Sequence, residues 1–371
     1  MTLTLLLVVI AVALIFEFIN GFHDTANSIA TVVATKVLTP GQAILLASLT
    51  NLVGAFLGTA VAKTISGGII DTTVVTVTSQ MLVCALMGGI IWNLFTWWLG
   101  LPSSSSHALI GGLIGAAIAA ADNNFAAAIW SQPAEPWYKG QGVLWKVVIP
   151  MVLSPLGGFI LGYLILGTMF AVIAGMSRAG GKLANVAKPR YVNGLFGKLQ
   201  IFSAGYMGLM HGTNDAQKTM GIIALALVSA TAAGTMEGAP EWLKWMALSK
   251  PEDGDVGIPM WIVVVCAITM AAGTAMGGWR IIKTMGHKMV KLHPVHGFAA
   301  ETASASMIGL ATSFGIPVST THNISAAIMG VGAAKGLKAV KWTVVERMVW
   351  AWILTIPVTA LIAYVLTRLF A

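Results

Sequence analysis

Two short polar motifs interrupt long apolar stretches of this sequence. The first is Asn20-Gly-Phe-His-Asp24, and the second, 191 residues later, is His211-Gly-Thr-Asn-Asp215. Each motif places a carboxylate, Asp24 or Asp215, where a lipid bilayer would make its charge costly, and such residues generally bind or move something. Their duplication predicts a transporter built from internal repeats.

Polar neighbours extend both motifs. Asn27 follows Asp24 by three residues and His211 precedes Asp215 by four, so each pair shares one face if the helix is continuous there. Lys218, three residues after Asp215, is placed either to pair with that carboxylate or to reach an anion. The motifs therefore combine carboxylate, imidazole, amide and ammonium groups inside apolar surroundings.

Glycines and further carboxylates add to this pattern. Gly21 and Gly212 favour a local break in the helix, which would free backbone carbonyl groups to coordinate a cation. Glu301 and Glu17 are additional carboxylates in apolar segments. Glu17 has no counterpart in the second half of the chain, so a structural role is as well supported for it as a functional one.

A second duplicated element is rich in serine and threonine. Leu101-Pro-Ser-Ser-Ser-Ser-His107 matches Ile316-Pro-Val-Ser-Thr-Thr-His322 at an offset of 215 residues. Each copy opens an apolar segment, as a helix N-terminus would, and the free N–H groups and positive dipole of such an end bind anions. The candidate anion ligands are Ser104, Ser105, Ser106, Ser319, Thr320 and Thr321.

Composition gives the class of protein that must position these residues. The chain has 371 residues, of which 57% are hydrophobic and 9% charged, too few polar side chains to coat a water-soluble protein. Long continuous apolar runs predict helices rather than the alternating strands of a membrane barrel. The two cysteines lie in apolar helices, so no disulfide or thiolate metal site is expected. The predicted fold is an all-α polytopic membrane protein.

Ten apolar segments are candidate membrane spans. They cover roughly residues 3–35 (interrupted near Asn20), 41–63, 80–99, 103–121, 147–174, 203–230, 258–279, 298–315, 319–335 and 347–370. In an alternative interpretation, residues 80–121 and 298–335 are re-entrant helical hairpins and not pairs of spans. The order of inside and outside loops is the same in both interpretations.

A basic segment sets the topology. Residues 177–200 hold five Lys or Arg side chains and no acidic one, which places them in the cytoplasm. Alternation then puts most other basic residues inside and both termini outside the cytoplasm. Each half has five spans, an odd number, so the second half enters the membrane from the opposite side to the first. Residues 1–176 and 201–371 therefore form an inverted repeat, joined by the 177–200 linker. The net charge of +8 thus reflects topology and not nucleic-acid binding.

The duplicated motifs resemble the hallmark of the inorganic phosphate transporter (PiT) family, a repeated Gly-x-Asn-Asp-x-x-Asn. The two copies here are Gly21-Phe-His-Asp-Thr-Ala-Asn27 and Gly212-Thr-Asn-Asp-Ala-Gln-Lys218. His23 replaces the first Asn of copy one, and Gln217 with Lys218 replaces Ala-Asn in copy two. Together with both Ser/Thr elements, the resemblance covers nearly the whole chain. The residues of the two motifs are most similar to those of the bacterial PitA-type branch of the family.

This resemblance implies secondary transport of inorganic phosphate, driven by a cation gradient, in a homodimer of inverted-repeat protomers in the bacterial cytoplasmic membrane. The PitA-type branch implies proton coupling and phosphate carried as a neutral complex with a divalent metal, without a resident cofactor or a confident metal site. The phosphate ligands would be Asn27, Ser104, Ser105, Ser106, Asn214, Gln217, Lys218, Ser319, Thr320 and Thr321. The residues that bind the coupling proton or cation would be Asp24, Asp215, Glu301, His23 and His211.

The Lys218 ammonium offers a physical reason for proton coupling, because it could occupy the place of a coupling sodium ion. Sodium coupling remains an alternative, as does a sulfate permease of the same fold. Sulfate cannot donate a hydrogen bond at neutral pH, so site carboxylates favour hydrogen phosphate. An intramembrane hydrolase using a serine with His107 lacks an orienting acid nearby, and an anion channel conflicts with buried carboxylates near its path.

Overall fold

The computed structural model describes residues 2–136, 139–248 and 257–370. Within these ranges the chain is predominantly helical and contains no β-strand. The first half contains α1 (Leu3–Ala34), α2 (Pro40–Gly54), α3 (Ala60–Gly67), α4 (Ser79–Leu99), α5 (Ser105–Ala120), α6 (Ile149–Ala179) and α7 (Gly181–Val186). The second half contains α8 (Pro189–Ala232), α9 (Glu241–Lys244), α10 (Met260–Met276), α11 (Trp279–Lys283), α12 (Pro294–Ser313), α13 (Thr320–Lys335) and α14 (Trp342–Phe370).

Fewer helices than expected could cross a bilayer alone. Among the described residues, four are long and apolar enough, namely α1, α4, α14 and the continuous stretch Leu144–Ala179 that contains α6. The pair α10 and α11, bent by 59°, would be a fifth. Helices α5 and α13 have 16 residues each, about 24 Å at about 1.5 Å per residue, against a hydrocarbon core of about 30 Å. The structure therefore supports four or five full spans by length and composition, not ten.

The expected breaks at Gly21 and Gly212 are absent, because α1 and α8 run through both glycines without interruption. A Cβ atom on Gly21 would lie 2.3 Å from the carbonyl oxygen of Met270, and one on Gly212 would lie 2.3 Å from that of Asn51. Both glycines therefore let another helix approach closely. The prediction of carbonyls freed at a helix break is wrong.

The basic segment 177–200 is largely helical and not an extended loop. It contains α7 and the first residues of α8, a helix of 44 residues that begins at Pro189. Proline is favoured at the first position of a helix, where its missing N–H is not needed. The segment thus leads directly into the helix that carries the second motif.

Helices α1 and α8, which carry the two motifs, lie at the centre of the molecule. Helix α1 packs against α10 and α4, and α8 packs against α2 and α12. Around them, α5 packs against α14, while α6 packs against α13. Glycines bring these outer pairs into backbone contact: a Cβ on Gly115 would lie 2.0 Å from the carbonyl oxygen of Ala360, and one on Gly330 2.0 Å from that of Phe159. This close packing fixes the first turns of α5 and α13 beside the central helices.

Candidate functional site

The two Ser/Thr-rich elements open helices, as the sequence predicted. Ser104 is the N-cap of α5 and its Oγ accepts a hydrogen bond of 3.2 Å from the backbone N–H of His107. Ser319 caps α13 in the same way, accepting from the N–H of His322 at 3.1 Å. Each cap satisfies one of the free N–H groups at its helix end. The hydroxyls of these two serines are therefore engaged within their own helices, and their role as phosphate ligands stays a prediction.

The first motif is joined to the N-terminus of α13. Asp24 Oδ1 accepts a hydrogen bond of 3.3 Å from Thr321 Oγ1 and lies 2.6 Å from His23 Nδ1. Asn27 Nδ2 lies 3.0 Å from the hydroxyl oxygens of both Thr320 and Thr321, to which it donates. Asp24, Asn27 and the first turn of α13 thus form one buried cluster.

The second motif reaches both helix N-termini. The Lys218 ammonium contacts the Asp215 carboxylate and the Ser106 hydroxyl of α5, and it donates to the carbonyl of Val318 at 3.2 Å. Asp215 also accepts a hydrogen bond of 3.1 Å from Thr320 Oγ1. Lys218 therefore forms the ion pair that was one of its two expected roles, in a position where it also contacts the first turn of α5.

Two carboxylates and one imidazole converge at the centre. Asp24, His211 and Asp215 each offer a donor atom, and these atoms lie within 4.8 Å of one another. His211 Nε2 is 3.1 Å from Asp215 Oδ2, which fits the predicted shared helix face. This set could hold a metal ion, and the sequence analysis had assigned no metal ligand there.

The site is shielded from solvent. Asp24 and Lys218 are each 2% exposed and Asp215 is fully buried. Removing such charges from water costs several kcal/mol for each ion unless close partners compensate. Two carboxylates face one ammonium here, so the cluster retains the capacity to take up another positive charge.

Some predicted phosphate ligands lie away from this cluster. Asn214 Nδ2 donates to Thr312 Oγ1 of α12 at 2.8 Å. Gln217 Oε1 accepts a hydrogen bond of 2.7 Å from the backbone N–H of Val61 in α3. Both side chains connect α8 to neighbouring helices, so phosphate binding by them stays an untested prediction.

Glu301 forms a separate polar cluster. It is fully buried on α12, where its carboxyl group accepts hydrogen bonds from Thr31 of α1 and from Gln200 and Ser203 of α8. Thr31 follows Asp24 by seven residues, about 10 Å along the helix axis. Glu301 is thus buried as expected, but it does not touch the central carboxylates.

Several supporting residues escaped the sequence analysis. Asn51 Oδ1 lies 3.1 Å from His211 Nδ1, and Asn51 Nδ2 donates to Thr274 Oγ1 at 3.0 Å. On the other side, Thr96 Oγ1 lies 3.2 Å from His23 Nε2. In the sequence, Asn51 and Thr96 are each a polar residue inside an apolar segment, and such a residue does not by itself indicate which side chain it contacts.

The remaining two matched histidines pack against each other. The rings of His107 and His322 lie 4.9 Å apart in an edge-on arrangement, and His322 stacks on Trp352 of α14 at 4.2 Å. They therefore connect α5, α13 and α14, whereas His23 and His211 contact the carboxylates.

Fold and site together define a polytopic helical membrane protein with buried carboxylates beside two helix N-termini. Residues 20–363 match the Phosphate transporter family, and the chain belongs to that family. It is 43% identical over 360 residues to a Mycobacterium bovis protein described as a "Probable low-affinity inorganic phosphate transporter", covering 97% of this chain and 76% of that protein. A Bacillus subtilis protein with the same description is 42% identical over 358 residues, covering 96% of this chain and 94% of the relative.

A solved structure shares the fold. It is described as "The sodium-dependent phosphate transporter", and it matches with a TM-score of 0.77, 23% identity and coverage of 99% of both chains. Family membership confirms the predicted resemblance and identifies a transporter rather than an enzyme, which excludes the intramembrane hydrolase.

Proposed function

We propose that this protein is a proton-coupled symporter that imports inorganic phosphate across the bacterial cytoplasmic membrane. The observation that carries the proposal is the position of the Lys218 ammonium, in contact with both the Asp215 carboxylate and the Ser106 hydroxyl at the start of α5. A fixed positive charge there occupies space that a coupling sodium ion would need. It also attracts an anion to the adjacent helix N-terminus.

Phosphate would bind between the first turns of α5 and α13. These turns supply hydroxyl groups and free backbone N–H groups at the positive ends of two helices. Ser106, Thr320 and Thr321 already contact Lys218, Asp215 and Asp24, and an incoming anion would take over part of these contacts. Ser105, next to them in the first turn of α5, is buried with its hydroxyl oxygen lacking a hydrogen-bond partner among the described residues.

Coupling would follow from electrostatic repulsion. Asp24 and Asp215 both repel an anion when charged, and only one of them contacts an ammonium group. Protonation of the site would remove this repulsion, so that a proton and phosphate bind together. Hydrogen phosphate can also donate a hydrogen bond to a carboxylate and sulfate cannot, which favours phosphate over sulfate.

The cargo would include a divalent metal ion bound to phosphate. The donor set of Asp24, His211 and Asp215 supports this part of the proposal, because carboxylate and imidazole groups together suit a divalent cation. The metal would enter and leave with the phosphate as a neutral complex. Sodium coupling is the second candidate, supported by the description of the structurally similar transporter as sodium-dependent.

The transport cycle would use two inverted repeats, residues 1–176 and 201–371, with both termini outside the cytoplasm. Supporting this, α5 packs against α14 and α6 against α13, so the last long helix of each half packs against a helix of the other half. The short helices α5 and α13 would belong to re-entrant hairpins with α4 and α12. Alternating access would then be a rocking of one part of each repeat against the rest. A homodimer remains a prediction.

The proposal is tested by uptake of radiolabelled phosphate into proteoliposomes that contain the purified protein. Proton and sodium gradients are imposed separately, a protonophore collapses the proton gradient, and excess unlabelled sulfate serves as competitor. Liposomes with an Asp215→Asn variant are the matched control for the site.

Uptake that needs the proton gradient, ignores sulfate and is lost in the control variant would support the proposal. Uptake that needs only sodium would replace proton coupling with the second candidate. Loss of phosphate uptake to the excess sulfate would contradict the assignment of phosphate as the preferred anion.

A further inference from the structure

A continuous polar stripe runs along one face of α1. Glu17, Asn20, Asp24, Asn27 and Thr31 follow one another at spacings of three and four residues, which keeps them on the same side of a helix. Each is at most 2% exposed. Thr31 follows Glu17 by 14 residues, so the stripe extends for about 21 Å along the axis of α1.

At the N-terminal end of this stripe, which the proposed topology places towards the outside, Glu17 connects α1 to α8. Its Oε2 accepts a hydrogen bond from the hydroxyl of Thr219, which follows Asp215 by four residues. Its Oε1 has no hydrogen-bond partner among the described residues, and neither has the nearby Asn20 Oδ1. Glu17 is completely buried, and among those same residues no ammonium or guanidinium group forms an ion pair with it.

The C-terminal end of the stripe, which the proposed topology places towards the cytoplasm, has a matching arrangement. Thr31 donates to Glu301, whose carboxyl group also accepts from Gln200 and Ser203 of α8. Glu17 lies seven residues before Asp24 and Thr31 seven residues after it. Two buried carboxyl groups thus bridge α1 and α8, each about 10 Å along α1 from the central aspartate.

The surroundings of Glu17 leave its charge state free to change. The charged groups that act on Glu17 are Asp215 and Lys218 of α8, and the titratable Cys266 thiol of α10 is close enough for Glu17 to act on it. Asp215 and Lys218 form an ion pair with each other, and neither forms an ion pair or hydrogen bond with Glu17 among the described residues. Burial favours the uncharged form of such a carboxyl group, and contact with water from one side would allow it to ionise.

From this geometry we infer that Glu17 is the outer proton-binding residue of the transport path, with Glu301 as its inner counterpart. A proton from the outside binds the Glu17 carboxylate and passes to the central carboxylates through water that enters beside Asn20. It then reaches the Glu301 carboxylate, which releases it to the cytoplasm. This inference rests on the proposed proton coupling and adds a site that binds neither phosphate nor metal.

The test compares two modes of transport in the Glu17→Gln variant. Glutamine keeps the size of the side chain and an oxygen that accepts from Thr219, but it cannot release a proton. Net phosphate uptake driven by a proton gradient is measured beside exchange of labelled for unlabelled phosphate, which moves no net protons. Glu346→Gln, at an exposed glutamate of α14, is the matched control.

We expect Glu17→Gln to lower net uptake about tenfold or more while exchange stays close to the wild-type rate. Wild-type net uptake in this variant would overturn the inference, and so would an equal loss of uptake and exchange, which indicates a role in binding. If Glu17→Gln does not fold, Thr219→Val replaces it, because that change removes the hydroxyl that holds the carboxyl group. Unchanged net uptake in Thr219→Val would then overturn the inference.

The same experiment separates this inference from the proposed function. Wild-type protein that does not respond to a proton gradient contradicts both. Proton-driven wild-type uptake with a fully active Glu17→Gln variant contradicts only the role of Glu17.

Discussion

Replacing Lys218 with asparagine tests the electrostatic basis of the site most directly. The change gives the second motif the residue that the first carries, Asn27. Lys218 contacts buried Asp215, and opposite unit charges about 4 Å apart attract by about 4 kcal/mol at an effective dielectric constant of about 20. Loss of one partner of a buried ion pair costs about 3–5 kcal/mol. Both arguments give about 4 kcal/mol for the loss of the ammonium partner of Asp215 in Lys218→Asn.

This free energy predicts the transport phenotype of the variant. If it is lost from the transport-competent state, proton-driven uptake should fall by up to about a thousandfold. A sodium ion could then occupy the vacated position beside Asp215 and restore part of the activity. Initial uptake rates under proton and sodium gradients are the assay, together with the unfolding temperature measured with and without sodium. Lys198→Asn is the control, because Lys198 lies on the same helix but is exposed.

Two results would refute this reasoning. Proton-driven uptake equal to that of the wild type would show that the Lys218 charge is not needed at the site. An equal loss of uptake in Lys198→Asn would show that the effect depends on the general charge of α8 and not on the buried pair.

Three further predictions address binding, packing and cargo. Thr320→Val removes hydrogen bonds to Asn27 and Asp215. The KM for phosphate, measured from uptake at increasing phosphate concentrations, should therefore rise about tenfold or more. An unchanged KM would contradict the assignment of Thr320 to the phosphate site. Gly115→Ala should lower the free energy of unfolding, measured by denaturation, by about 1–3 kcal/mol, because its Cβ would lie 2.0 Å from a carbonyl oxygen of α14. Gly167→Ala is the control: its Cβ would meet no atom within 4 Å, so the free energy of unfolding should stay unchanged. Chelation of divalent metal ions should reduce phosphate uptake and abolish uptake of labelled metal, and metal-independent uptake would exclude the neutral complex as the cargo.

The sequence identified most residues of the central cluster because their types are rare in apolar helices. Asp24, Asp215 and Lys218 each interrupt an apolar run, and the cost of burying a charge makes such positions informative. The starts of α5 and α13 were equally readable, since serine before an apolar run is a preferred N-cap. These features depend on local sequence and on the environment of the chain alone.

The sequence did not correctly predict the number of spans or the role of the motif glycines. Apolar runs such as 41–63 predict a span, but the structure divides this one into α2 and α3. Gly21 and Gly212 looked like helix breaks, because glycine weakens a helix in isolation. In the folded protein each admits a neighbouring backbone instead, a contact that comes from a residue far away in the sequence.

The sequence by itself determined that this is a helical membrane protein with duplicated motifs and buried carboxylates, because composition and residue spacing act within a single segment. Only the tertiary structure decided which polar groups meet. It placed Lys218 between Asp215 and Ser106, turned Asn214 and Gln217 towards other helices, and aligned Glu17 with Thr219 across α1 and α8. The physical reason is that these partners lie on different helices, whose rotation and height are set by close packing at glycines and not by any local signal.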